Sequence, residues 1–153
     1  MPRRFQHLNQ EWEAVGTGTG HGVGFGHLPA VNRWGVIFRS ISKPEQGEYR
    51  GTMPEADPQN LTEEDLKRIL EEQLVISAID RSRYTWRPAE AISKDLGLSL
   101  DRVRDILETT TEAEVIHGDQ PNSQGYELYT TRDHFVKTTG DVMKRYLDVE
   151  TSS

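Results

Sequence analysis

The chain has 153 residues, and its 18 basic and 25 acidic side chains give a formal net charge of −7. This length fits one compact domain or one small domain with an appendage, and the acidic balance excludes a globally basic nucleic-acid coat or a polybasic membrane binder. Cysteine is absent, which excludes a disulfide framework, cysteine-ligated zinc and a cysteine nucleophile. No apolar run is long enough to span a membrane and no secretory signal is recognisable, so we expect a cytoplasmic protein with no membrane partner.

The composition changes along the chain. Residues 1–60 carry six basic and six acidic side chains, whereas residues 61–153 carry 12 basic and 19 acidic ones. Nine of the 13 glycines and five of the seven prolines lie in the first 60 residues. We therefore predict a Gly/Pro-rich, partly flexible N-terminal segment over 1–60 that ends in a linker over 54–59. A folded domain is predicted over 61–150, followed by a disordered tail over 151–153.

Glycine occupies every second position from Gly16 to Gly26. The run is not an intact dinucleotide fingerprint, no Lys-Ser/Thr pair closes it, and Pro29 stands where a helix should begin. A flexible or irregular segment is therefore favoured over a phosphate-binding loop. Around this run, β-branched and aromatic residues predict a small β-hairpin or meander, with strands over 34–41 and 49–53 and a weaker one over 11–15.

A long helix is predicted over residues 60–80. Thr62 is a good N-cap, and Asp65 stands at the capping-box position. Apolar side chains from Leu66 to Ile79 then recur at helical spacing. They cover so much of the helix that we expect it to be buried on most sides near its C-terminal end.

Two shorter helices follow, separated by a turn. Pro88 suits the first turn of a helix over about 88–96, and Gly97 suits the left-handed conformation that ends one. Ser99 is a good N-cap for the next helix, whose inner face is formed by Val103, Ile106 and Leu107. With the small residue Ser93 four positions before the glycine, this spacing is typical of a helix-turn-helix.

A hairpin is predicted directly after these helices. Residues 114–117 and 126–130 have strand character, and the intervening segment 118–125 is rich in turn formers. A helix-turn-helix followed by a β-hairpin resembles the winged-helix superfamily, over about residues 62–131. The predicted fold class is therefore α+β: a winged helix-turn-helix of three helices and a hairpin wing, with a C-terminal helix and the N-terminal Gly-rich strands.

Winged-helix proteins most often bind DNA, so the resemblance implies a DNA-binding transcriptional regulator. The helix over 99–109 would enter the major groove, and the wing over 118–125 would touch the backbone. The candidate binding side chains, for duplex DNA or for a protein partner, are Arg83, Arg87, Lys94, Ser99, Arg102, Arg104, Asn122, Gln124 and Arg132. Among the outward positions of the recognition helix, only Arg104 suits a guanine edge.

The charge pattern favours a second hypothesis, a protein-interaction or adaptor module. Carboxylates accompany Arg104 on the recognition helix, and the wing contains no lysine or arginine. Affinity for DNA depends on the number of phosphates neutralised, so such a surface predicts weak binding. An acidic winged helix that docks a protein partner therefore stays open beside DNA binding.

The last helix is predicted to begin after Thr131, a plausible N-cap. Apolar and small side chains then share one face: Phe135, Thr139, Val142, Met143 and Tyr146. This face suits docking on the same chain, and the alternative is a homodimer in which it pairs with a second copy.

Nothing in the sequence indicates an enzyme. The five histidines show no metal-ligand spacing, and no serine stands in a nucleophile motif. We expect no catalytic residue, no metal and no cofactor. His134 is expected to be solvated in the first turn of the last helix, and Trp86 to fill the core or staple the second helix.

Overall fold

The computed structural model describes residues 2–23 and 31–140. The protein is a mixed α+β structure with antiparallel sheets, as predicted. It divides into two compact units, Met1–Gln73 and Leu74–Ser153. No helix in the described ranges has both the length and the apolar content needed to cross a membrane.

The first unit contains a four-stranded antiparallel meander in which neighbours along the chain are neighbours in the sheet. Its strands are β1 (Arg3–His7), β2 (Gln10–Val23), β3 (Val31–Ser40) and β4 (Glu48–Met53). The strands predicted over 11–15, 34–41 and 49–53 are thus confirmed in position, although β2 is much longer than expected. The first strand, β1, was not predicted.

The glycines from Gly16 to Gly22 lie in β2, where no strand was predicted, and the predicted irregularity is confined to a register shift between Gly16 and Gly20, with Gly18 at φ 73°. This part of β2 is paired with β3, with Gly16 opposite Val36 and Gly22 opposite Asn32, and β3 supplies the partners for its backbone hydrogen bonds. A partner strand on one side is therefore sufficient to order residues whose own preference for a strand is weak. Gly24 and Gly26 lie outside the described residues.

One face of the sheet is buried and carries the core of the first unit. Trp12 contributes a fully buried ring that packs edge-on against Tyr49, with ring centroids 6.0 Å apart. The other buried side chains of this face are Phe5, Ala14, Val36, Phe38 and Met53. The opposite face is polar, because side chains alternate along each strand.

Helix α1 (Glu63–Asp80) begins as predicted, since Thr62 Oγ1 accepts a hydrogen bond of 3.1 Å from the Asp65 N–H. Its first half belongs to the first unit, where the His7 ring nitrogen lies 3.1 Å from the Glu71 carboxylate. The two compact units divide between Gln73 and Leu74, inside α1, whereas the sequence predicts a domain that starts at residue 61. The amino-acid composition changes at residue 60, but composition does not show against which unit the apolar side chains of a helix pack.

The second unit starts with the last turns of α1 and continues through alternating short strands and helices. These are β5 (Arg87–Pro88), α2 (Ala89–Leu96), α3 (Leu100–Thr109), β6 (Val115–His117) and β7 (Leu128–Thr131). The three strands form one sheet in the order β5-β7-β6. Val103, Ile106 and Leu107 are buried, as their spacing predicted.

The turn between α2 and α3 has the predicted conformations. Gly97 is left-handed, with φ 73°, and its N–H bonds back to the Ser93 carbonyl. Ser99 caps α3 by accepting a hydrogen bond of 3.2 Å from the Arg102 N–H. The Ser93 hydroxyl donates to the Leu98 carbonyl at 2.6 Å, which closes the turn over the small residue.

A further helix, α4, covers residues 132–140. Thr131 caps it through a 3.1 Å bond from the His134 N–H, as predicted. The expectation of a solvated His134 is wrong, because its side chain is buried and its Nε2 lies 2.8 Å from the Tyr84 carbonyl oxygen. Trp86 is half-buried and packs edge-on against Phe135, at 5.8 Å between centroids. The predicted face at Val142, Met143 and Tyr146, and the tail 151–153, lie outside the described residues.

Candidate interaction surface

Two elements of the second unit carry most of the predicted binding residues. They are α3 and the hairpin loop over residues 118–127, and we call their exposed residues the α3–hairpin surface. The surface is rich in carboxylates. Residues 89–131 carry nine acidic and three basic side chains, which accounts for most of the net charge of the chain.

The two arginines of α3 are both paired within the chain. Arg102 Nη1 lies 2.9 Å from Asp105 Oδ2, one turn further along the same helix. Arg104 Nη2 lies 2.9 Å from Glu90 Oε1, on α2. The Arg102 pair therefore bridges one turn of α3, and the Arg104 pair joins α3 to α2. The positive charge of both side chains is already compensated within the chain.

The Arg104–Glu90 pair is difficult to break. Glu90 is half-buried, and its second oxygen, Oε2, is buried without a hydrogen-bond partner in the structure described. Withdrawing Arg104 toward a nucleic acid would leave this half-buried carboxylate without its cation, which costs stability. The residue best suited to read a guanine is thus committed to a structural contact.

The other predicted cations lie outside α3. Arg87 is held by Asp95 at 2.7 Å, and Arg132 lies 3.3 Å from Glu114. Arg83 donates to the Tyr84 hydroxyl at 2.9 Å. Lys94 is exposed and forms no ion pair within the described ranges. Of the nine predicted residues, α3 brings together Ser99, Arg102 and Arg104, and the hairpin loop brings together Asn122 and Gln124.

The hairpin loop is organised by Asn122. Its Oδ1 accepts hydrogen bonds of 3.0 Å from the N–H groups of both Gln124 and Tyr126. Gly125, with φ 83°, completes the turn. Asn122 therefore shapes the loop, whereas the Gln124 side chain is exposed to solvent.

Three exposed carboxylates distinguish this surface. Asp101, Glu108 and Asp119 form no ion pair with any residue that the structure describes. The compensating role of Glu90, Asp95 and Glu114 was missed at the sequence level, since these residues are distant in sequence from their arginines. Only the Arg102–Asp105 pair could have been found in the sequence, because its two residues are three positions apart on a predicted helix.

Tyr129 anchors the hairpin to the sheet of the second unit. Its ring lies 4.3 Å from that of His117, and its hydroxyl donates to Glu127 at 3.3 Å. Burial, and after it the negative charge of Glu127, raises the pKa of Tyr129 above its ordinary value of 10.0. The folded state therefore favours the neutral phenol.

This shift predicts a loss of stability at high pH. The contribution of Tyr129 is fully present below pH 10, where the phenol is neutral in folded and unfolded chains. Above pH 10 the Tyr129 phenol ionises first in the unfolded chain. Its contribution to stability then falls, by at most about 1.4 kcal/mol per pH unit. Urea titrations between pH 8 and 11 should show the wild type losing stability relative to Tyr129→Phe. A constant difference between the two proteins would contradict the prediction.

No protein-family model, no curated protein and no solved structure matches this chain.

Proposed function

We propose that the protein is a non-catalytic interaction module in which residues 63–131 form a winged helix and the α3–hairpin surface binds a basic segment of a partner protein. The winged-helix assignment is supported by the order of α1, β5, α2, α3, β6 and β7 and by the sheet order β5-β7-β6. The observation that carries the function is the commitment of both α3 arginines to carboxylates. What remains uncompensated on this surface is negative, and it attracts lysine and arginine side chains.

Duplex DNA binding is the second candidate. The arrangement of α2 and α3 around Gly97 favours it, and Lys94 is an exposed cation on α2. The wing supplies no lysine or arginine, so few counterions would be released from a duplex. On these grounds we rank a basic protein partner first.

A direct comparison of two fluorescent probes tests the proposal. The full chain is titrated against a lysine-rich peptide and against a random DNA duplex at low salt, and anisotropy is measured. We expect binding to the peptide and no binding to the duplex. Tighter binding to the duplex would replace the proposal with the DNA-binding alternative.

Removal of two charges locates the binding surface. Glu108→Gln combined with Asp119→Asn should weaken peptide binding about fivefold, since each exposed charge contributes at most about 1 kcal/mol. The matched control is Glu45→Gln combined with Glu55→Gln, two exposed carboxylates of the first unit. An equal loss in the control would mean that the peptide responds to net charge and not to this surface.

Pairing of two copies through α4, and a cytoplasmic location, stay predictions. Phe135 and Val136 expose 36% and 59% of their surface, which is consistent with a partner for α4. Sedimentation of the wild type and of Val136→Ser over a range of concentrations would test the dimer.

A further inference from the structure

The hairpin loop of the second unit, residues 118–127, presents one large aromatic side chain to solvent. Tyr126 exposes 41% of its surface, and its ring contacts no other ring and no cation among the residues that the structure describes. An uncovered tyrosine offers a partner both apolar area and a π face. Tyrosine is also enriched among the side chains that dominate the binding energy of protein interfaces.

The backbone that carries this ring is fixed by Asn122. The Tyr126 N–H donates to Asn122 Oδ1 at 3.0 Å, and the Tyr126 carbonyl accepts from the Asn122 N–H at 2.9 Å. The Gly125 N–H donates to the Asn122 carbonyl at 2.9 Å, and the Gly118 N–H donates to the Leu128 carbonyl at 2.8 Å. The loop is therefore ordered before a partner arrives, so that binding to Tyr126 loses little conformational entropy.

The charges on this loop are negative. Asp119 and Glu127 are exposed, and the loop contains no lysine or arginine. Within the described ranges Asp119 forms no ion pair, and the only ion-pair partner of Glu127 is His117, at 3.8 Å and charged only when protonated. The Tyr129 hydroxyl donates to Glu127 at 3.3 Å but brings no charge to it. The exposed ring thus lies in a loop whose potential attracts cations.

A second exposed tyrosine of this unit, Tyr84, already carries a cation. It exposes 58% of its surface, and the guanidinium carbon of Arg83 lies 5.0 Å from its ring centroid. Arg83 also donates to the Tyr84 hydroxyl at 2.9 Å. A guanidinium at this distance is attracted by the ring electrons. Tyr84 is therefore supplied from within the chain, whereas the Tyr126 ring has no cation in the structure described.

We infer that an arginine of the partner protein stacks its guanidinium group on the Tyr126 ring. The inference rests on the proposed function, because it specifies the side chain that the α3–hairpin surface takes from a basic segment. Arginine fits this place better than lysine, since its planar guanidinium stacks on an aromatic face and is more weakly hydrated than an ammonium group. Asp119 and Glu127 add to the attraction from the same loop.

Two fluorescent peptides of equal length and charge test the inference, one with arginine at every basic position and one with lysine. Each is titrated against the full chain at low salt, and anisotropy is measured. We expect the arginine peptide to bind about threefold more tightly than the lysine peptide. Equal affinities would overturn the inference and leave the proposed function standing. If neither peptide bound, the proposed function would fall, and the inference with it.

Substitutions at Tyr126 separate the π face from apolar contact. Tyr126→Leu keeps an apolar side chain but removes the ring, and it should weaken binding of the arginine peptide about threefold, to the affinity of the lysine peptide. Tyr126→Phe is the matched control, since it keeps the ring, and it should change binding by less than about 1.5-fold. An equal loss in the two variants would overturn the inference, because the hydroxyl and not the ring face would then make the contact.

Tyr84→Leu is the control for position. Its ring is removed in the same way, but Arg83 already occupies that ring in the free protein. We therefore expect the arginine peptide to keep its wild-type affinity. A loss as large as that of Tyr126→Leu would contradict the placement of the arginine on the hairpin loop.

Discussion

Gly16→Ala is expected to lower the free energy of unfolding by about 2 kcal/mol, because a side chain at this position overpacks the sheet. A Cβ on Gly16 would lie 2.8 Å from the backbone oxygen of Ala56 and 3.4 Å from the Met53 methyl group. Backbone atoms cannot rotate away as the end of a side chain can, so β2 or the segment at Ala56 must shift. Urea denaturation followed by tryptophan fluorescence measures the loss.

Gly20→Ala is the matched control, since Gly20 lies in the same strand and has no atom within 4 Å of its Cβ position. There the expected change is a stabilisation of about 0.5 kcal/mol, because alanine restricts the unfolded chain more than glycine does. Equal destabilisation by both substitutions would show that β2 needs glycine for its backbone conformation and not for space.

Leu66→Ala is expected to cost more, about 3 kcal/mol, because it opens a cavity in a close-packed core. Leu66 has no exposed surface and belongs to the unit that contains the four-stranded sheet. Urea denaturation should show a lower midpoint with an unchanged slope.

Arg68→Ala is the comparison for Leu66→Ala, since Arg68 lies two residues further along α1 and 66% of its side chain is exposed. Its only predicted effect is the loss of an exposed pair with Asp65, about 0.5 kcal/mol. Similar losses at the two positions would mean that Leu66 is not part of a packed core.

The parts of the fold that local chemistry determines could be predicted from the sequence. Thr62, Ser99 and Thr131 cap helices because a side-chain oxygen near an N–H three residues on satisfies it directly. Gly97 ends α2 because a left-handed residue costs glycine little. The buried face of α3 likewise follows from its periodicity alone.

The parts that depend on a distant partner could not be predicted. β1 and the glycine-rich half of β2 are strands because they pair, and their own residues show only a weak preference for strands. The same reason explains the candidate site. Arg104 is a typical DNA-reading residue until Glu90, 14 positions earlier, is seen to hold it.

The continuous course of α1 through both units limits how this protein can be divided. A cut at the compositional change near residue 60 would separate the sheet from Leu66 and Leu70, which are buried in its unit. A cut at the unit boundary would break the helix itself between Gln73 and Leu74. Neither cut leaves α1 intact together with the unit that each part of it belongs to, so recombination between genes would have to carry the two units together, as a single heritable piece.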